Sequence, residues 1–140
     1  EQNPEAKTEG LKIFFDEELF LKNSSGKNTL IKGNIENNLN FFFDQIKKGD
    51  YTAIMAYIQK DKLSEKYLQK IRELIRSSKA MATTVGYGPR FLHSTGQLHK
   101  GGADNGVYIQ IVADDTRDIA IPGRPYTFSI LKQSQAVGDY

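Results

Sequence analysis

Residues 51–58 read YTAIMAYI, an almost unbroken apolar run. The run begins two residues after Gly49 and ends before the polar segment Gln59-Lys60-Asp61. A strand that is covered on both faces has this continuous apolarity, as in a parallel sheet between layers of helices. The stretch therefore predicts a central, buried strand.

Helical patterns lie on both sides of this strand. Before it, apolar residues recur every three or four positions, which indicates one face of a helix; they are Ile35, Leu39, Phe42, Phe43 and Ile46. After it, Ser64 is a candidate N-cap. The buried stripe expected for that second helix is Tyr67, Leu68, Ile71, Leu74 and Ile75.

Further segments complete an alternation of strands and helices. Strand character is found in LKIFF at 11–15, KAMATTVGY at 79–87 and GVYIQIVAD at 106–114. Helix character is found in residues 126–140. This order predicts an α/β domain, a three-layer αβα sandwich with a mostly parallel sheet. Residues 1–10 are polar and are expected to form a linker or frayed arm, with the domain spanning 11–140.

Composition excludes several classes of function. The chain has 140 residues, a net charge of +2 and no cysteine, so disulfides, thiolate chemistry and cysteine-based zinc sites are excluded. Its basic residues are spread along the chain, whereas a nucleic-acid groove usually clusters them with aromatic residues. No apolar run approaches the ~18 residues of a membrane helix. We therefore expect neither nucleic acid nor membrane as a partner.

The richest polar segment is GPRFLHSTGQLHKGG at 88–102, which contains both histidines of the chain. If residues 92–100 form a helix, His93, Gln97 and Lys100 share one face. The segment follows the strand at 79–87, and ligands in α/β folds gather at the carboxyl ends of strands. An imidazole beside cations suits proton transfer to oxygen of an anionic substrate such as a sugar phosphate.

Plainer interpretations remain open for the same segment. A histidine at a strand end is more often a surface or hydrogen-bonded residue than a catalyst. His93 and His99 are six positions apart, which places them on different helix faces and disfavours a metal site. The glycines fit neither the Walker spacing nor a dinucleotide-binding motif.

The string GYGPRFLHSTGQLHKGG, followed by NGVYIQIVADD and IPGRPYTFSILKQSQAVGD, resembles the C-terminal part of the phosphoglucose isomerase family. The resemblance extends from about residue 49 to residue 140, and it is closest to the members fused behind a transaldolase in some bacteria. It implies a sugar isomerase domain with a flavodoxin-like αβα fold. The implied reaction interconverts glucose 6-phosphate and fructose 6-phosphate without a metal or organic cofactor.

The resemblance also assigns roles to residues. His93 matches the ring-opening histidine, with His99 as runner-up, and Gln97 and Gly101 complete that motif. The family's lysine falls on Lys132, and Lys100 competes for the role. Arg90 is a candidate for stabilising negative charge, and Arg90, Gln97, Lys100 and His99 are expected to contact substrate.

The family's glutamate lies in a Glu-Ser-Asn/Thr-Gly-Lys motif, which this chain lacks. We therefore expect a piece of a longer cytoplasmic isomerase that is inactive alone, with a hexose 6-phosphate and the remainder of the parent chain as partners. A homodimer is a further expectation from the resemblance. Two other functions stay open: a non-catalytic phosphosugar sensor, and a scaffold for a transaldolase fusion.

Overall fold

The computed structural model describes residues 6–8, 11–13 and 35–139 of the chain. The chain divides into two compact units, Glu1–Ile46 and Lys47–Tyr140. The sequence predicts a boundary near residue 10, so this division falls at a different place. The second unit contains the segments that carry the family resemblance.

The first unit contains a two-stranded hairpin and one helix among its described residues. Strand β1 (Ala6–Thr8) pairs antiparallel with β2 (Leu11–Ile13), with Thr8 opposite Leu11. Residues 6–8 thus form a strand where a linker was expected, because backbone pairing does not require apolar side chains. Strand β2 belongs to this hairpin and not to the parallel sheet. Helix α1 spans Ile35–Asp44 as expected, but it buries Asn38 and leaves Leu39 exposed.

The second unit is built on a three-stranded parallel sheet in the order β4-β3-β5. Strand β3 (Tyr51–Tyr57) is central, and β4 (Ala82–Tyr87) and β5 (Gly106–Val112) pair with it in parallel. All three strands confirm the sequence prediction. Residues 52–57 are buried, which is the physical reason for the continuous apolarity of this segment.

Helices cover both faces of this sheet. Because strand side chains alternate in direction, Met55 and Tyr57 point to one face and Ile54 and Ala56 to the other. Met55 and Tyr57 pack against Phe91 and Ala136. These contacts place two elements on the Met55 face, a 3₁₀ helix (Arg90–Leu92) and the C-terminal helix α4 (Phe128–Asp139). Helix α3 (Ser94–Gly101) directly follows the 3₁₀ helix.

The opposite face packs against helix α2, which spans Lys62–Lys79. Tyr87 is in register with Ala56, so its side chain lies on that face. Its hydroxyl is 3.1 Å from the Ser64 hydroxyl at the start of α2. The second unit is therefore a small α/β domain with helices on both sides of a parallel sheet. In the part of the chain that the structure describes, no helix is long and apolar enough to cross a membrane.

Helix α2 differs from its prediction in two respects. Its N-cap is Asp61, which accepts from the backbone N–H groups of Leu63 and Ser64, while Ser64 closes a capping box at the third position. Only Leu68 and Ile75 of the predicted stripe are buried, and Tyr67 and Leu74 are 55% and 59% exposed. A narrow arc of the helix meets the three-stranded sheet, so the wider apolar stripe is only partly covered.

Candidate functional site

The two residues with the strongest predicted roles lie beyond the same edge of the sheet. His93 follows the carboxyl end of β4, at the junction between the 3₁₀ helix and α3. Lys132 lies on α4, and its ammonium donates to the Ala113 carbonyl just past the end of β5. Since β4 and β5 flank β3 in a parallel sheet, their carboxyl ends are two strand spacings, ~10 Å, apart. This edge is the usual ligand-binding edge of an α/β sheet.

His93 is an exposed residue. Its backbone forms the N-cap of α3, and its side chain does not cap the helix. Within the described ranges, neither His93 nor the exposed Gln97 makes a side-chain hydrogen bond. The predicted short helix is confirmed as the 3₁₀ turn followed by α3, and His93 and Gln97 are therefore available to solvent at its start.

Lys132 is held by oxygen atoms. Its ammonium lies 2.6 Å from Asp115 Oδ1 and 2.8 Å from the Ala113 carbonyl oxygen. The Lys132 ammonium, together with Ser129, lowers the pKa of the Asp115 carboxyl. The side chain of Lys132 is 19% exposed, so the ion pair fixes the amine close to the carboxyl end of β5.

Lys100 is engaged in a different ion pair. Its ammonium lies 2.7 Å from Asp139 Oδ1, and the Tyr57 hydroxyl donates to the other oxygen of the same carboxylate. Lys132 is therefore tied to Asp115 in the loop after β5, whereas Lys100 is tied to Asp139 at the end of α4. The geometry separates the two candidate lysines, although both belong to the Met55 face of the domain.

His99 lies in an aromatic cluster with Tyr51 and Tyr108. Its ring is stacked on the Tyr51 ring, with a centroid distance of 5.9 Å, and meets the Tyr108 ring edge-on at 5.3 Å. Tyr51 is the first residue of β3, so the cluster lies toward the amino end of that strand. The structure thus brings His99 to a place that His93 does not reach, at the other end of α3.

Hydrogen bonding within this cluster fixes the tautomer of His99. The Tyr108 hydroxyl donates to the His99 carbonyl at 3.0 Å, so its oxygen accepts from Tyr51, 2.9 Å away. With the Tyr51 hydrogen committed, the Tyr51 oxygen accepts from His99 Nδ1 at 3.0 Å. In neutral His99, Nδ1 therefore carries the proton and Nε2 carries the lone pair.

Burial dominates the electrostatics of the cluster. Desolvation lowers the pKa of His99, and the nearby Asp139 carboxylate only partly offsets it. Desolvation and the hydrogen bond with Tyr51 raise the pKa of Tyr108 to about 12. Both groups therefore stay neutral at physiological pH, which suits a structural cluster more than a charged binding site.

A narrow groove of about 210 Å³ runs between α3 and β4. The helical side of the groove is lined by Arg90, Thr95 and His99, and the sheet side is lined by Thr84 and Met55. The structure therefore brings Arg90 and His99 to one cavity, whereas His93, Gln97, Lys100 and Lys132 lie outside its lining. Among the described residues, no three metal-ligating side chains are grouped to hold an ion.

A larger groove of about 590 Å³ lies on the other side of Arg90, between the start of α2 and the end of β4. Four cationic side chains line it: Lys60, Lys62, Lys66 and Arg90. The sequence alone assigns no role to Lys60, Lys62 or Lys66. The sequence signal that could have indicated this groove is the cluster of three lysines within seven positions, directly after the carboxyl end of the central strand.

No family model, no curated protein and no solved structure matches this chain. The likeness to the phosphoglucose isomerase family therefore rests on the motif strings in the sequence, and the architecture of the second unit rests on its own geometry.

Proposed function

We propose that this chain is part of a cytoplasmic glucose-6-phosphate isomerase, as a C-terminal sugar isomerase domain with an αβα sandwich fold. The parent would be a bifunctional transaldolase and isomerase. The observation that carries the proposal is the placement of His93 and Lys132 beyond the carboxyl edge of one parallel sheet. Their motif resemblance and their shared edge support the same chemistry.

In the proposed reaction, His93 and Lys132 move a proton between the ring oxygen of the hexose and its C1 hydroxyl, which opens the ring. An imidazole that is open to solvent can both accept and return this proton. Arg90 stabilises the negative charge that develops on the enediol oxygen. The base that transfers the proton between C1 and C2 comes from a segment outside residues 1–140, because the chain has no Glu-Ser-x-Gly-Lys motif.

The direct test is an isomerase assay on the full-length protein and on residues 1–140. We expect turnover of glucose 6-phosphate by the full-length protein and none by the 140-residue chain. Turnover by the short chain would place the C1–C2 base within it. Absence of turnover by a folded full-length protein would reject the isomerase.

A phosphosugar sensor without chemistry is the second candidate. It is favoured by the state of the two key side chains, since Lys132 is neutralised by Asp115 and the His93 ring has no orienting partner among the described residues. A catalytic imidazole usually has a hydrogen-bond partner that orients its ring. Calorimetry with glucose 6-phosphate on the full-length protein separates the candidates, because a sensor binds tightly without turnover.

A further inference from the structure

The groove between the start of α2 and the end of β4 has a strongly positive lining. Lys60, Lys62, Lys66 and Arg90 supply four cations, and Glu65 supplies the single carboxylate. The formal charge of the lining is therefore +3. Arg90 comes from a different element than the lysines, so the cations converge on the groove from two sides.

Most of this charge is not neutralised by the protein. Lys60 is the exception, because its ammonium lies 3.2 Å from the Glu65 carboxylate and 5.5 Å from the centre of the Tyr87 ring. Within the described ranges, Lys62, Lys66 and Arg90 have no ion-pair or side-chain hydrogen-bond partner. Three like charges held around one concave surface repel each other, and an anionic ligand relieves that repulsion.

The walls of the groove are ordered by other contacts. Asp61 caps α2 and fixes the first turn that carries Lys62, through hydrogen bonds of 2.9 Å and 2.8 Å to backbone N–H groups. The hydrogen bond between the Tyr87 and Ser64 hydroxyls, 3.1 Å apart, joins the end of β4 to the start of α2. Arg90 is carried by the 3₁₀ helix that follows β4, and Lys62 and Lys66 are carried by the capped start of α2, so only the flexible tips of these side chains need to adjust to a ligand.

We propose that this groove binds a small organic ligand that carries two phosphoryl groups. A phosphate monoester carries about −1.5 to −2 charges at neutral pH. Two such groups bring about −3 to −4, which matches the +3 lining, whereas one phosphate leaves unpaired cations. The groove of about 590 Å³ has room for a doubly phosphorylated hexose or a nucleoside diphosphate. This inference shares Arg90 with the proposed isomerase site, but its lysines, Lys60, Lys62 and Lys66, have no role in the proposed isomerase chemistry.

The test is isothermal titration of the protein at fixed ionic strength with four probes. They are a hexose 1,6-bisphosphate, a nucleoside diphosphate, a hexose 6-phosphate and inorganic phosphate. We expect at least one of the first two to bind about tenfold or more tightly than both monophosphates, because each additional charge-assisted contact contributes about that factor. The better of the two identifies the source of the phosphoryl groups. Equal affinity for all four probes would overturn the proposal.

Two variants localise the binding. Lys66→Gln removes a groove cation and is expected to lower the affinity for the doubly phosphorylated probe about tenfold. Lys70→Gln makes the same charge change one turn further along α2, outside the groove lining, and is expected to leave affinity within about twofold. Equal losses in the two variants would show general surface attraction and reject the site. Because both residues are exposed, neither change threatens folding.

Discussion

The Tyr57 hydroxyl donates to the Asp139 carboxylate at 2.5 Å and so joins the last residue of β3 to the last turn of α4. The Asp139 side chain is 4% exposed and also accepts from Lys100. Burial and the neighbouring carboxylate both raise the pKa of the Tyr57 phenol. This buried, charge-assisted contact is the principal polar tie between the central strand and the final helix.

The first prediction concerns this tie. Tyr57→Phe is expected to lower the free energy of unfolding by about 1–3 kcal/mol, because a buried carboxylate loses a donor. Urea denaturation measures the change. Tyr67→Phe is the matched control, since Tyr67 is 55% exposed and should shift stability by less than about 0.5 kcal/mol. Equal effects of the two variants would contradict the assigned role of the Tyr57 hydroxyl.

The second prediction is a stability optimum between weakly acidic and alkaline pH. The pKa of folded His99 is lowered, so below about pH 6.5 the unfolded chain binds a proton that the folded chain does not, and stability falls. The pKa of folded Tyr108 is about 12, so above about pH 10 the unfolded chain loses a proton first, and stability falls again.

Thermal melts across pH 5–11 test this shape with two variants. His99→Gln should flatten the acid side. Tyr108→Phe should make the alkaline side less steep, and the rest of that slope comes from Tyr57, whose pKa is also raised. If His99→Gln leaves the acid side as steep as before, another group is responsible for it.

The third prediction concerns Gly88. A Cβ built at this position would overlap the Tyr57 ring, and that ring is buried in the core. Gly88→Ala is therefore expected to destabilise the domain by about 1–3 kcal/mol. Gly101→Ala, at a helical glycine with nothing within 4 Å of the added carbon, should be neutral or stabilising by up to about 1 kcal/mol. A neutral Gly88→Ala would mean that the Tyr57 ring can move aside.

The fourth prediction tests the role of His93 in the full-length protein. His93→Ala should lower kcat about 10²-fold or more on the cyclic hexose phosphate and much less on the open-chain substrate, because only the cyclic form needs ring opening. Kinetics on both substrate forms measure the ratio. An equal loss on both forms would remove His93 from the ring-opening step.

The fifth prediction separates the candidate lysines. Lys132→Met should lower isomerase kcat about 10²-fold, whereas Lys100→Met should mainly lower stability, because Lys100 neutralises the buried Asp139. Asp115→Asn frees the Lys132 ammonium and should leave kcat within about threefold. The reverse pattern, with kcat lost only in Lys100→Met, would assign the proton transfer to Lys100.

The central strand of the second unit could be predicted from sequence because burial on both faces requires apolar side chains. Residues 53–57 are apolar because both faces of the strand are covered, and the glycines and prolines around 86–89 and 122–125 mark breaks between elements. Strand β2 falls within the strand predicted at 11–15, but β1 and its antiparallel pairing with β2 could not be predicted, because backbone pairing leaves little trace in side-chain type. The stripe of α2 was overestimated, since periodicity reveals which residues share a face but not how wide a surface the sheet offers.

The candidate site was only partly accessible from sequence. The parallel order of the strands places His93 and Lys132 beyond the carboxyl ends of the sheet. For His93 this position was predicted from the sequence, because the residue directly follows a predicted strand. The partners of Lys132, Lys100 and His99 depend on Asp115, Asp139 and Tyr51, which are 17, 39 and 48 positions away in the chain. No local pattern encodes such distances. For the same reason the cationic groove was missed, because Arg90 joins the lysines only after the chain has folded.

The strand order β4-β3-β5 has a consequence for how this polypeptide emerges from the ribosome. Both neighbours of β3 are made after it, and the second one is not complete until Val112 has been synthesised. From Tyr57 onward, some 55 residues must be added before the most apolar segment of the nascent chain has partners on both sides. During that interval one edge of β3 is unpaired, and a chaperone that holds unfolded chains would bind this segment.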